Sequence, residues 1–157
     1  MQVRNPHRRR GLTLVELIVA FTILATLTAM AVPMARYKVR RERERDLRIA
    51  LRELRTAIDK YKDMADQQQL GQQKLDSDNY PEKLEVLVEG VKMQGSVDKK
   101  VRFLRRMPKD PMTGKTEWNM RSTKDDPKST SWGGQNVFDV FSKSTEKASD
   151  GTPYSEW

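Results

Sequence analysis

One carboxylate, Glu16, stands inside an apolar run from Leu12 to Ala35 that is otherwise interrupted only by Thr13, Thr22, Thr26, Thr28 and Pro33. A lone glutamate in a membrane segment costs roughly 2.5 to 3.5 kcal/mol on insertion scales, so the position calls for a cationic partner. Gly11 and Leu12 lie just ahead, behind the basic string Arg8-Arg9-Arg10. Cutting the chain after Gly11 would free an ammonium on Leu12, four residues before Glu16, and two charges that are costly alone become tolerable together. Other reactive chemistry is scarce. With no cysteine, the chain has no disulfide, thiolate metal site or sulfur nucleophile. Its one histidine, His7, precedes the apolar run and would leave with a processed leader, taking with it the usual general base. Carboxylate, serine and lysine chemistry stay open, but most enzyme classes are disfavoured, and the chain is read as a non-enzyme.

The elements that must position these residues follow from patterning. At about 1.5 Å per residue, the apolar run is long enough to cross a hydrocarbon layer of roughly 30 Å. The net charge of +8 is concentrated on its two flanks, while residues 49–157 are nearly balanced. That distribution suits anionic lipid head groups and does not mark a nucleic-acid-binding face. A removable secretory signal, with Ala29-Met30-Ala31 as its cleavage site, and an uncut signal anchor are alternatives for the same segment. Either would leave a secreted or membrane-anchored binding domain. Beyond Pro33, Leu47, Leu51, Leu54, Ile58, Tyr61 and Ala65 recur at spacings of three and four, which predicts one apolar helical seam widened by Ala50, Ala57 and Met64. The opposite face is charged and includes a Glu44 to Arg48 pair. A helix is therefore expected from residue 12 to about 69, kinked or locally opened at Pro33, with Gly71 and the neighbouring glutamines ending it.

After it come a short helix between Pro81 and Gly90 and a turn over Asp110-Pro111-Met112-Thr113-Gly114. Strands are expected near 115–120 and 136–142, forming a small antiparallel sheet that buries Trp118, Phe138 and Val140 against the seam. The fold class is α+β. The expected partition is a leader over 1–11, a transmembrane or fibre-core half-helix over 12–35, an amphipathic half-helix over 36–70 and a head over 71–157.

The stretch GLTLVELIVAFTILATLTAMAVP resembles the class III signal of type IV pilins and type II secretion pseudopilins. Counting from Leu12, Glu16 is fifth and Pro33 twenty-second, both as in that family, and Gly11 precedes the cut. DNYP at 78–81, MPKDP at 107–111 and NVFDVFS at 136–142 are similar, in that order, to the major (G-type) pseudopilin, and the absence of cysteines sets the chain apart from many pilus subunits. The resemblance implies a pilin-like fold, cleavage by prepilin peptidase between Gly11 and Leu12, and N-methylation of Leu12. It also implies pairing of Glu16 with a neighbouring subunit's amine, and self-association into a helical periplasmic fibre that drives protein secretion. The implied setting is the bacterial inner membrane, single-pass with the head in the periplasm, beside other pseudopilins and inner-membrane secretion components. A pilus subunit for adhesion, motility or DNA uptake is the neighbouring reading. The resemblance further implies calcium in the C-terminal loop, carried over to Asp150, Thr152, the Lys143 carbonyl and Glu146. A metal-free turn at Asp150-Gly151 is the alternative.

Overall fold

The computed structural model describes residues 13–96 and 99–157. Helix α1 (Leu14–Asp66) runs without interruption through Pro33, so the local opening expected there is not a break in the helix. By internal contacts the chain divides into a unit ending at Arg40 and a second unit, Arg41–Trp157.

In the first unit, α1 exposes Leu14, Val15, Leu17, Ile18, Phe21, Leu24 and Leu27. Its hydroxyls do not disturb the apolar character. Thr22 Oγ1 donates to the Ile18 carbonyl at 2.8 Å, Thr26 Oγ1 to Thr22 at 3.1 Å and Thr28 Oγ1 to Leu24 at 2.8 Å. Each threonine thus satisfies its polar group within the helix, which is what hydrocarbon surroundings demand.

In the second unit the helical seam forms the core. Leu47, Leu51, Leu54, Ile58, Tyr61 and Ala65 are all buried, together with Leu84, Leu87, Leu104, Trp118, Val137, Val140 and Tyr154. The helix ends at its glutamines, after Asp66, without help from Gly71. Gln68 takes a left-handed φ of 55°. Its N–H donates to the Ala65 carbonyl and that of Gln69 to Met64, which caps the last turn in a Schellman arrangement. Gly71 instead lets the chain run beside Lys92, to whose carbonyl its N–H donates at 2.9 Å.

Helix α2 (Glu85–Glu89) is shorter than the 81–90 expected, and Gly90 stops it at φ 85°. A side chain at Gly90 would meet the Val101 carbonyl oxygen at 2.8 Å, so the glycine serves both the turn and the close approach of the next segment. The anticipated antiparallel sheet forms, and a second, separate pair accompanies it. β1 (Val91–Lys92) pairs with β2 (Lys100–Val101), and β3 (Asn119–Arg121) pairs with β4 (Asp139–Phe141) in the register Met120 to Val140. The first pair is two residues long and rich in lysine, so it carries no alternating apolar pattern from which to read it. β3 and β4 occupy only part of the predicted 115–120 and 136–142. Trp118 and Val140 are buried as expected, but Phe138 is 49% exposed, edge-on to Tyr80 at 5.3 Å. Strict alternation fails because β4 starts only at Asp139, after which Val140, Phe141 and Ser142 are all buried.

The turn at Asp110 forms as predicted, closed by Gly114 N–H on the Asp110 carbonyl at 2.7 Å, with Gly114 at φ 72°. Its side chain is structural as well. Asp110 is fully buried and accepts from the Ser142 hydroxyl at 2.7 Å and from Met112 N–H at 2.8 Å, tying the turn to the end of β4.

Candidate functional site

Two sets of residues matter, one in each unit. At the start of α1, Thr13 N–H donates to Glu16 Oε2 at 3.3 Å, and Glu16 N–H donates back to Thr13 Oγ1 at 3.3 Å. This reciprocal pair is a capping box, satisfying two backbone donors that the first helical turn leaves without partners. The pattern T-x-x-E at 13–16 is legible in the sequence. Glu16 is exposed, and its carboxylate carries local bonds that an incoming ammonium would have to replace or share. Gly11 and Leu12 lie outside the described residues. Pro33 lies within α1, where a ring nitrogen without a proton removes one intrahelical bond.

The second set holds the C-terminal segment, and its centre is a residue that patterning placed on the charged face. Glu44 is only 7% exposed. It accepts from Ser149 N–H at 2.9 Å, from the Ser149 hydroxyl at 2.7 Å and from the Tyr154 hydroxyl at 3.1 Å. The signal was available, because Glu44 stands three residues before Leu47 and so continues the three-and-four spacing of the seam. Farther along α1, Arg55 Nε donates to Asp139 at 2.7 Å, and its guanidinium also reaches the Trp157 carbonyl at 2.6 Å. Arg48 stacks over the Trp157 indole, 4.2 Å from the ring centre. Glu44, Arg48 and Arg55, spread along α1, therefore grip the segment after β4, which ends in a 3-10 turn over Tyr154–Glu156.

The residues carried over for calcium engage other partners. Asp150 Oδ1 accepts from Thr152 N–H at 2.9 Å and from the Thr152 hydroxyl at 2.6 Å, and the Trp157 indole N–H donates to Thr152 Oγ1 at 3.0 Å. These bonds from Thr152 hold the Asp150 carboxyl below the usual carboxylate range. Lys143 Nζ pairs with Glu117 at 3.1 Å, and the Glu146 carbonyl accepts from Tyr154 N–H. Among the described residues, no group of three or more His, Cys, Asp or Glu could hold a metal ion. The Asp150-Gly151 turn is the arrangement observed in this segment, with Asp150 Oδ1 accepting from Thr152.

Residues 6–32 match the family model of the prokaryotic N-terminal methylation motif. No curated protein and no solved structure matches the chain. The matched segment covers residues 6–11 of the expected leader, Leu12 and Glu16, and marks a type IV pilin-like prepilin signal of the kind cut by prepilin peptidase. With the α+β, pilin-like arrangement of a long apolar helix and small antiparallel strand pairs, it points to membrane anchoring and to assembly of a structural fibre.

Proposed function

We propose that this protein is a pseudopilin, a fibre subunit of a type II secretion apparatus, cut between Gly11 and Leu12 and methylated at Leu12. The observation that carries the proposal is the methylation motif at 6–32 running into a helix that is long and apolar enough to span a membrane, with none of its apolar stretch buried. Exposed leucine and valine at this density need lipid before assembly and neighbouring copies after it. Glu16 would then act as a register device. Before the cut, Gly11 blocks the amine, while afterwards Leu12 offers the cation that makes the carboxylate affordable in apolar surroundings. Pulling such subunits into a short periplasmic fibre, beside other pseudopilins, would supply the mechanical stroke of secretion. Secretion is favoured over an adhesive or motile pilus by the resemblance at 78–81, 107–111 and 136–142. Calcium at 143–152 forms no part of this proposal.

The test is the intact mass and N-terminal residue of protein recovered from membranes. A methylated Leu12 start is expected, whereas a Val32 start or an uncut Met1 would overturn the reading. Glu16→Ala should be processed normally yet fail to crosslink into fibres, and normal fibre formation by that variant would remove the role given to the carboxylate.

A further inference from the structure

Over residues 41–53, α1 repeats one pattern on its exposed side. Four arginines, Arg41, Arg45, Arg48 and Arg52, stand four, three and four residues apart, a spacing that keeps to one face of a helix. Each is followed at once by a residue of a second series: Glu42, Asp46, Ile49 and Glu53. Successive residues turn by about 100° around the axis, so the two series form two neighbouring edges. One edge is wholly basic. The other is acidic, with Ile49, 53% exposed, among its carboxylates. All eight residues are exposed, on the side of α1 away from the buried seam.

Neither edge is satisfied within the chain. The side chains of Arg41, Arg45, Arg52, Glu42, Asp46 and Glu53 make no ion pair or hydrogen bond with another described residue. Glu53 opens on to a groove shared with Arg105 and Arg106 and pairs with neither. Arg48 alone is occupied, over the Trp157 indole. Like charges three and four apart on one helix repel, so each edge weakens the isolated helix. An edge of opposite sign laid alongside turns that repulsion into attraction. The occupant must carry both signs, because an anionic lipid surface or an acidic peptide would meet the arginines and repel Glu42 and Asp46. A surface with both signs at this spacing is present on the same helix of a second copy.

We propose that residues 41–53 of α1 dock on the same residues of a second copy, the arginine edge of one helix lying along the acidic edge of the next. The parallel sense of the two helices rests on the fibre reading, in which copies enter one membrane in one orientation. Unlike edges meet, so every pair leaves one edge of each sign unused, and the contact repeats as an open array. The apolar run nearer Glu16 would supply attraction without selecting a neighbour. The charged edges add selectivity, since a wrong register or a foreign helix sets like charges together.

The chain has no cysteine, so introduced ones report the contact. Full-length chains carrying Arg52→Cys and Ile49→Cys, with different affinity tags, are produced together and their membranes treated with a short bismaleimide. A mixed dimer is expected. Arg45→Glu in the first chain and Asp46→Arg in the second should each reduce it by about fivefold, and the two together should restore it to within about twofold. Molar salt should reduce the original dimer, because the contact is between exposed charges. An absent dimer, one indifferent to Arg45→Glu or to salt, or a loss that the paired reversal does not rescue would overturn the proposal. A dimer strengthened by Asp46→Arg would do the same and point to anionic lipid. Chains that start at Leu12 and give no dimer would sink the edge contact and leave the fibre reading standing, whereas a charge-dependent dimer of uncut chains would do the reverse.

Discussion

The two halves of α1 share one backbone conformation and have opposite surroundings. Leu27 is 61% exposed and Leu47 is 0% exposed, although both are leucines in the same helix. The difference lies in what accompanies them. Between Glu16 and Arg36 no charged residue interrupts the run, so no face of the helix is marked for water. From Arg41 onward, charged residues confine the apolar positions to a stripe, and a stripe can be covered by a small head. Helical periodicity therefore specifies a partner inside the chain for the second half, while its absence leaves the first half to lipid or to other copies.

The sharpest way to break this comparison is to truncate a leucine in each half. Leu54→Ala should cost the head about 2–5 kcal/mol, because the side chain is fully buried and its neighbours cannot close the gap. Leu24→Ala should leave the denaturation midpoint of the head unchanged in micelles. Equal effects from the two variants would show that the halves do not differ as described.

Glu44 sharpens the boundary between them. Glu44→Ala strands the Ser149 and Tyr154 donors and should cost about 1–3 kcal/mol, with faster hydrogen exchange at the Ser149 amide. Glu44→Gln keeps an acceptor and should cost less. An unchanged exchange rate in Glu44→Ala would mean that Glu44 does not hold the C-terminal segment, leaving Arg48, Arg55 and Arg121 to do so.

The smallest effect concerns where the buried half stops. A non-glycine residue in the left-handed region costs roughly 1–2 kcal/mol, so Gln68→Gly should stabilise the head by up to about 1 kcal/mol. Destabilisation on thermal melting would argue that the Gln68 side chain holds the cap.

The sequence by itself determined the helix, its seam and the α+β class, because these rest on local periodicity over many residues. It also carried the N-terminal signal, whose meaning lies in short offsets between Gly11, Leu12 and Glu16 along one chain. Only the tertiary structure decided the fate of Glu44, since a carboxylate on a helix reads as solvated until Ser149 and Tyr154 arrive from more than a hundred positions away. Phe138 and the short pair of β1 and β2 escaped for a related reason. Two or three residues per strand are too few for alternation to show which face meets the core.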